Sequence, residues 1–173
     1  SNAHHNSFRC NLVVGPGGAP SSYFANGLVV SSDAHDNLIE GNTIHSCSFG
    51  VYLKTGAYSN ILASNQIGGI GPGTAKNIYT GVVVDSGAHH NIIGGATSSE
   101  GNVISGNGSH GISFQGQGTS DNLVANNRIG LQASTDLPLP NGHGIVFTDK
   151  ASGNAVGPGN IIAYNTMHGV AFY

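Results

Sequence analysis

Apolar residues in this chain fall in short runs of alternating character, bounded by Gly and Asn, which is the signature of brief half-buried strands. One run, Gly-[Leu/Ile/Val]-x-apolar, occurs six times: Gly27 to Val30, Gly50 to Leu53, Gly81 to Val84, Gly111 to Phe114, Gly144 to Phe147 and Gly169 to Phe172. A second run, Asn-x-apolar, starts ten or eleven residues after the glycine at Asn37, Asn60, Asn91, Asn122 and Asn154, with Asn6 as the opening copy. A third, of the same form, starts at Asn11, Asn42, Asn65, Asn102, Asn127 and Asn160. Three signatures in constant order, with glycine-to-glycine steps of 23, 31, 30, 33 and 25 residues, define a repeat.

Helical repeats need runs of ten or more residues with 3.6 periodicity, and none is present. Three short strands per unit, in fixed order, stack on their counterparts in the next unit and enclose a narrow core. The expected fold is therefore all-β: a parallel β-helix of about six coils with three short parallel sheets, roughly 29 Å long at about 4.8 Å per coil. Inward columns follow directly. Leu28, Val51, Val82, Ile112, Ile145 and Val170 form one, and Val30, Leu53, Val84, Phe114, Phe147 and Phe172 another. Phe8, Ile39, Leu62, Ile93, Val124 and Val156 form a third, and Val13, Ile44, Ile67, Ile104, Ile129 and Ile162 a fourth. The asparagines are expected at the corners, in left-handed backbone, with amides bonded from coil to coil. Long connections before the glycine strand (Gly15 to Asn26, Gly68 to Thr80, Gly130 to His143) alternate with short ones. A two-coil unit follows, with loops projecting from one edge at every second coil, where binding tends to reside.

Composition narrows the function. Only 13 of 173 residues are charged, 5 basic and 8 acidic, while 28 are glycine and 19 asparagine. The five cations, Arg9, Lys54, Lys76, Arg128 and Lys150, are scattered, which excludes a phosphate-binding face and argues against nucleic acid as partner. Nothing approaches 18 consecutive apolar residues, so no membrane insertion is expected. Ser1-Asn2-Ala3 has the look of a tag-removal scar, leaving residues 4–173 as a single β-helix domain. The chain starts within a coil and stops just after a strand without a capping repeat, so the sequence reads as a fragment of a longer array or as a unit that self-associates end to end. Cys10 and Cys47 leave a disulfide open.

The segments GVVVDSGAHHNIIGG, GNVISGNGSHGISF, NRIGLQASTDLPLPNGHGIVF and GNIIAYNTMHGVAFY resemble the parallel β-helix repeats of secreted bacterial and archaeal surface proteins. The resemblance covers the chain from about His4 and implies a right-handed helix of the pectate-lyase type and an extracytoplasmic location. That superfamily includes polysaccharide lyases, hydrolases and surface proteins without assigned chemistry, so function rests on the site.

Gly142-His143-Gly144 is similar to the histidine element of polygalacturonase-type hydrolases, but no paired aspartates accompany it, and inverting hydrolysis needs two carboxyl groups. Asp36 and Asp121 share a column three coils apart, and the other acids do not align, so no calcium cluster is encoded. His110, His143 and His168 hold one position on successive coils, where stacked imidazoles suit a polar ladder at a turn, a soft metal or a sugar contact. His4-His5 and His89-His90 fall in another matching turn, with His35 in line, and no metal-ligand spacing joins them. On the glycine strand the outward column Val29, Tyr52, Val83, Ser113, Val146 and Ala171 is mostly apolar, and beside it run Ser31, Lys54, Asp85, Gln115, Thr148 and Tyr173. Lys54 and Asp85, one coil apart, are expected to be close enough for a surface ion pair. Tyr52, Lys54, Asp85, Gln115, His110, His143 and His168 are therefore the candidate ligand-binding residues, with no catalytic residue, metal or cofactor assigned.

Three functions remain open at this level. The first is a non-catalytic module of a secreted or cell-surface protein that binds polysaccharide or serves as a rigid spacer. The second is a lyase or glycoside hydrolase with its site on the long-loop edge, involving His143 or Arg128. The third is an adhesin or assembly unit joined through open coil ends.

Overall fold

A computed structural model describes residues 2–16, 25–71, 73 and 75–173. Its eighteen strands, numbered in chain order, form three parallel sheets of six. Sheet one contains β1 (Ser7–Arg9), β4 (Leu38–Glu40), β7 (Ile61–Ala63), β10 (Ile92–Gly94), β13 (Leu123–Ala125) and β16 (Ala155–Val156). Sheet two contains β2 (Leu12–Val14), β5 (Thr43–His45), β8 (Gln66–Gly68), β11 (Val103–Ser105), β14 (Arg128–Ile129) and β17 (Ile161–Ile162). Sheet three contains β3 (Leu28–Val30), β6 (Val51–Leu53), β9 (Val82–Val84), β12 (His110–Phe114), β15 (His143–Phe147) and β18 (Val170–Phe172). Each strand pairs with its counterpart one coil away, so the chain is a right-handed parallel β-helix of six coils.

Register confirms the columns read from sequence. Phe8 pairs with Ile39 and Ile39 with Leu62; Val51 pairs with Val82, Val82 with Ile112 and Ile112 with Ile145. Ile44, Leu62, Ile67, Ile93, Ile104, Ile112, Ile129 and Ile145 are wholly buried, forming one core along the axis. Phe114, Phe147 and Phe172 stack with ring centroids 5.0 and 4.9 Å apart and planes within 9°. In the sixth coil Phe172 is 74% exposed.

Asparagines form the coil-to-coil ladders, and the structure corrects their backbone assignment. Asn37 donates both its backbone N–H and its Nδ2 to Asn60 Oδ1, at 3.1 and 2.8 Å, and Asn60 repeats the pattern on Asn91 at 3.0 and 2.9 Å. Asn42, Asn65, Asn102 and Asn127 do the same at the second corner. The left-handed residue is the one before the asparagine, at His5, Asp36, Ser59, His90, Asp121 and Gly153 at the first corner and Cys10, Gly41, Ser64, Asn126 and Gly159 at the second, with Gly101 before Asn102 the exception at φ −66°. That arrangement turns the chain one residue early and aims the next N–H along the axis, at the amide oxygen of the next coil.

A third ladder escapes the sequence pattern. Asn77 donates to Asn107 at 3.0 Å, Asn107 to Asn141 at 2.9 Å and Asn141 to Asn165 at 3.0 Å. Cys47 holds the equivalent place in coil two, its N–H donating to Asn77 Oδ1 at 3.1 Å. Both cysteines are free thiols, Cys10 exposed and Cys47 buried.

The repeated glycine is required by close approach. A Cβ on Gly81 would lie 2.7 Å from the Gly111 carbonyl oxygen, 2.8 Å from Asn107 Nδ2 and 2.8 Å from Ile104 Cγ2. Gly50, Gly111 and Gly144 meet the same three kinds of neighbour, so the column is dictated by the third asparagine ladder and the isoleucines of sheet two.

Of the three long connections, residues 17–24 lie outside the description. In the connection after β14, an antiparallel bridge between Leu131 and Pro138 shapes a compact loop. Its Leu139 is buried and receives the Gly106 N–H at 2.9 Å.

Candidate functional site

The outward face of sheet three carries a groove of about 500 Å³. Its floor is the outward column Val83, Ser113 and Val146, one residue from each of three successive coils. One side is built from residues just before the strands, Phe49, Tyr79, Thr80, Ser109 and His110, and the other from Gln115 and Thr148 just after them. Period-two alternation fixes this geometry, because a strand that buries Val82 and Val84 must turn Val83 outward.

Sequence reasoning treats that column as an exposed apolar strip, yet Val83, Ser113 and Val146 expose only 3, 5 and 2% of their surface. The taller neighbours on both sides cover them. Val29 at the start of the column, by contrast, is 45% exposed. The wall residues Phe49, Tyr79, Thr80 and Ser109 and the rim residue Thr148 were not among the site residues expected from sequence. The four wall residues could have been found at the one or two positions preceding the repeated glycine, a column otherwise noticed only for its histidines, and Thr148 in the post-strand column of Asp85 and Gln115.

Tyr52 stands at the coil-two end. Its ring meets Phe49 edge-on with centroids 5.7 Å apart, and Phe49 in turn lies 5.7 Å from Tyr79. The Tyr52 hydroxyl donates to Asp85 Oδ2 at 3.0 Å, and Gln115 Nε2 donates to the same oxygen at 3.3 Å. Burial, then the hydrogen bond and negative charge of Asp85, push the Tyr52 phenol up to about 12. It therefore stays a neutral donor at any ordinary pH.

The expected Lys54–Asp85 ion pair does not form. Lys54 Nζ instead sits 5.0 Å from the Tyr52 ring centroid, a cation–π contact, while Asp85 is taken by the phenol and the amide. The structure thus brings Tyr52, Lys54, Asp85 and Gln115 into one cluster, with a different bonding pattern.

The histidine ladder lies beside this cluster. His110, His143 and His168 have centroid separations of 5.1 and 5.2 Å, with planes tilted 44° and 69°. His110 lines the groove, His143 is buried and His168 is exposed. Burial holds the first two imidazoles below the ordinary histidine value, and the next histidine of the ladder adds to the effect in each. Nδ1 of both is covered and lacks a hydrogen-bond partner.

A second ring stack runs along the turn between sheets three and one. His4, His35, Tyr58 and His89 lie face to face with centroids 5.0, 4.6 and 5.3 Å apart. Tyr58 completes a column that sequence reading assigned to histidines alone. Their faces are occupied by one another, so the ridge offers only ring edges to a ligand. Among the described residues, no three His, Cys, Asp or Glu side chains converge as metal ligands.

Arg128 lies in sheet two, away from the groove residues, with its guanidinium donating to the Asp136 carboxylate and to the Gln132 carbonyl at 3.1 Å. No described helix is long and apolar enough to cross a membrane. No family model, no curated protein and no solved structure matches this chain. The class of the protein is accordingly set by its own architecture: a parallel β-helix with one aromatic-walled groove across the outer face of its third sheet.

Proposed function

We propose that this β-helix is a non-catalytic module that binds polysaccharide in the sheet-three groove, as part of a secreted or cell-surface protein. The observation that carries the reading is the groove itself: an apolar floor, an aromatic end and hydroxyl and amide rims on a scaffold locked by three asparagine ladders. Carbohydrates present C–H faces and hydroxyl edges, which such a surface matches without induced change. The extracytoplasmic setting is supported by the resemblance of the repeats to those of surface proteins.

Catalysis is disfavoured by the carboxylates. Acid–base cleavage of glycosides needs two of them, about 5 to 9.5 Å apart. Among the described residues two acids are bonded to the groove residues, and both are already engaged: Asp85 accepts from Tyr52 and Gln115, and Asp149 from Thr148. Titration calorimetry with hexasaccharides tests binding, with Tyr79→Ala expected to weaken it at least tenfold. Release of reducing ends or unsaturated products from any polysaccharide incubated with the protein overturns the non-catalytic reading.

A further inference from the structure

We infer that the groove selects an uncharged glycan over uronate or sulfated chains, a conclusion that rests on the polysaccharide-binding reading and specifies its ligand. Charge complementarity decides it. An acidic sugar carries a carboxylate or sulfate whose desolvation must be offset by Arg, Lys or a bound cation. None of the described residues lining the groove is Lys or Arg.

The charged groups bonded to groove residues reinforce the point, Asp149 accepting from the Thr148 hydroxyl at 3.1 Å. Asp85 lies at the rim and carries the negative sign that repels a polyanion. Lys54, which precedes it by one coil, is held over the Tyr52 ring. The imidazole of His110 is half-buried and its neighbour His143 is covered, so both are kept in the neutral form that forms no ion pair with an acidic sugar.

What the groove does offer suits neutral sugars. Hydroxyls of Thr80, Ser109 and Ser113 both donate and accept, as sugar hydroxyls do; Thr148, whose hydroxyl donates to Asp149, offers an acceptor, and the Gln115 amide adds its carbonyl and the N–H not given to Asp85. The floor repeats apolar, polar, apolar at Val83, Ser113 and Val146, with a spacing of about 4.8 Å set by the strands. That spacing is comparable with one hexose along an extended chain, so successive rings meet successive coils.

Calorimetry of the full chain at neutral pH against cellohexaose, xylohexaose and mannohexaose, with hexagalacturonate and hexamannuronate as acidic counterparts, tests this directly. At least one neutral hexamer is expected to bind ten or more times more tightly than either uronate. Equal or tighter uronate binding overturns the charge selectivity but leaves the polysaccharide module standing. Failure of all five hexamers to bind overturns the underlying reading. Val83→Lys, which puts a cation in the floor, is expected to weaken the neutral ligand at least tenfold. Tyr79→Ala, at the wall, checks the same placement should the floor variant misfold, and unchanged affinity in a folded variant of either kind overturns the groove as the site.

Discussion

The Tyr52 hydroxyl reaches across one coil step to donate to the Asp85 carboxylate at 3.0 Å, tying the aromatic end of the groove to its polar rim. Asp85→Asn removes the two contributions of the carboxylate to the raised phenol, leaving burial, the larger cause, in place. The Tyr52 phenol is then expected to titrate below about 12 yet above an ordinary tyrosine. Ultraviolet titration of the phenolates, with Tyr52→Phe to identify the signal, reads this. An unchanged titration in the Asn variant would show that the hydrogen bond does not exist in solution.

Two glycines separate the effect of space from that of backbone conformation. Gly81→Ala forces a methyl against the Gly111 carbonyl, 2.7 Å away, and against Asn107 and Ile104. Gly87 has φ +79° and nothing within 4 Å of an added methyl, so its alanine variant meets only left-handed strain. The first is expected to cost about 3 kcal/mol or more and the second about 1 kcal/mol. Urea unfolding of the two variants checks the order, and a reversal would refute the steric origin of the glycine column.

The asparagine ladders are expected to dominate stability. Asn60 accepts two N–H donors from Asn37 and donates through Nδ2 to Asn91, Ala34 and Tyr58, all in a buried corner. Asn60→Ala strands those partners at about 1 to 3 kcal/mol per buried group, which totals roughly 3 to 5 kcal/mol after local relaxation. Asn6→Ala, at the exposed first coil, removes only the Nδ2 bond to Asn37 Oδ1, the backbone N–H bond to the same oxygen remaining, and is expected to cost less than half as much. Equal losses at the two positions would show that burial does not set the strength of the ladder.

These contrasts show where sequence reasoning reached and where it stopped. Coil number, the three sheets and the four inward strand columns were legible because a β-strand with one buried face must alternate, and a solenoid repeats that alternation in register, whereas the buried turn column Ala34, Ala57 and Ala88 was not read. The Asn60 and Asn65 ladders were legible for the same reason, each amide sitting at a constant offset from an apolar pair. The third ladder was hidden because Cys47 replaces its coil-two member and the residues after Asn77, Asn107, Asn141 and Asn165 do not repeat. The left-handed positions were misplaced by one residue, since amide chemistry points to the asparagine while the backbone turns at its predecessor. The groove was half visible: Tyr52, Asp85, Gln115 and His110 were singled out from columns on or before one strand. Phe49 and Tyr79 were not, because side chains on a connection take their direction from tertiary contacts that no periodicity encodes.

His143 and His110 make stability depend on pH, with a sign fixed by their direction of shift. In the folded state burial holds both below the ordinary histidine value, whereas the unfolded chain titrates at about 6.5. Between those values the unfolded chain binds more protons than the folded one, so unfolding free energy rises with pH there. The stabilisation is complete above about pH 6.5 and is lost as pH falls through that value to the lower folded-state values. His143→Gln removes one of the two depressed imidazoles together with the positive charge that its protonation would place beside His110, so the slope should shrink. Urea midpoints measured from about pH 8 down to about pH 5 report the slope in both proteins. A wild-type midpoint that stays constant through this range, or a variant as pH-sensitive as the parent, would mean that the ladder accepts protons without cost, which a covered imidazole with an unpartnered Nδ1 and a histidine edge-on 5.2 Å away does not allow.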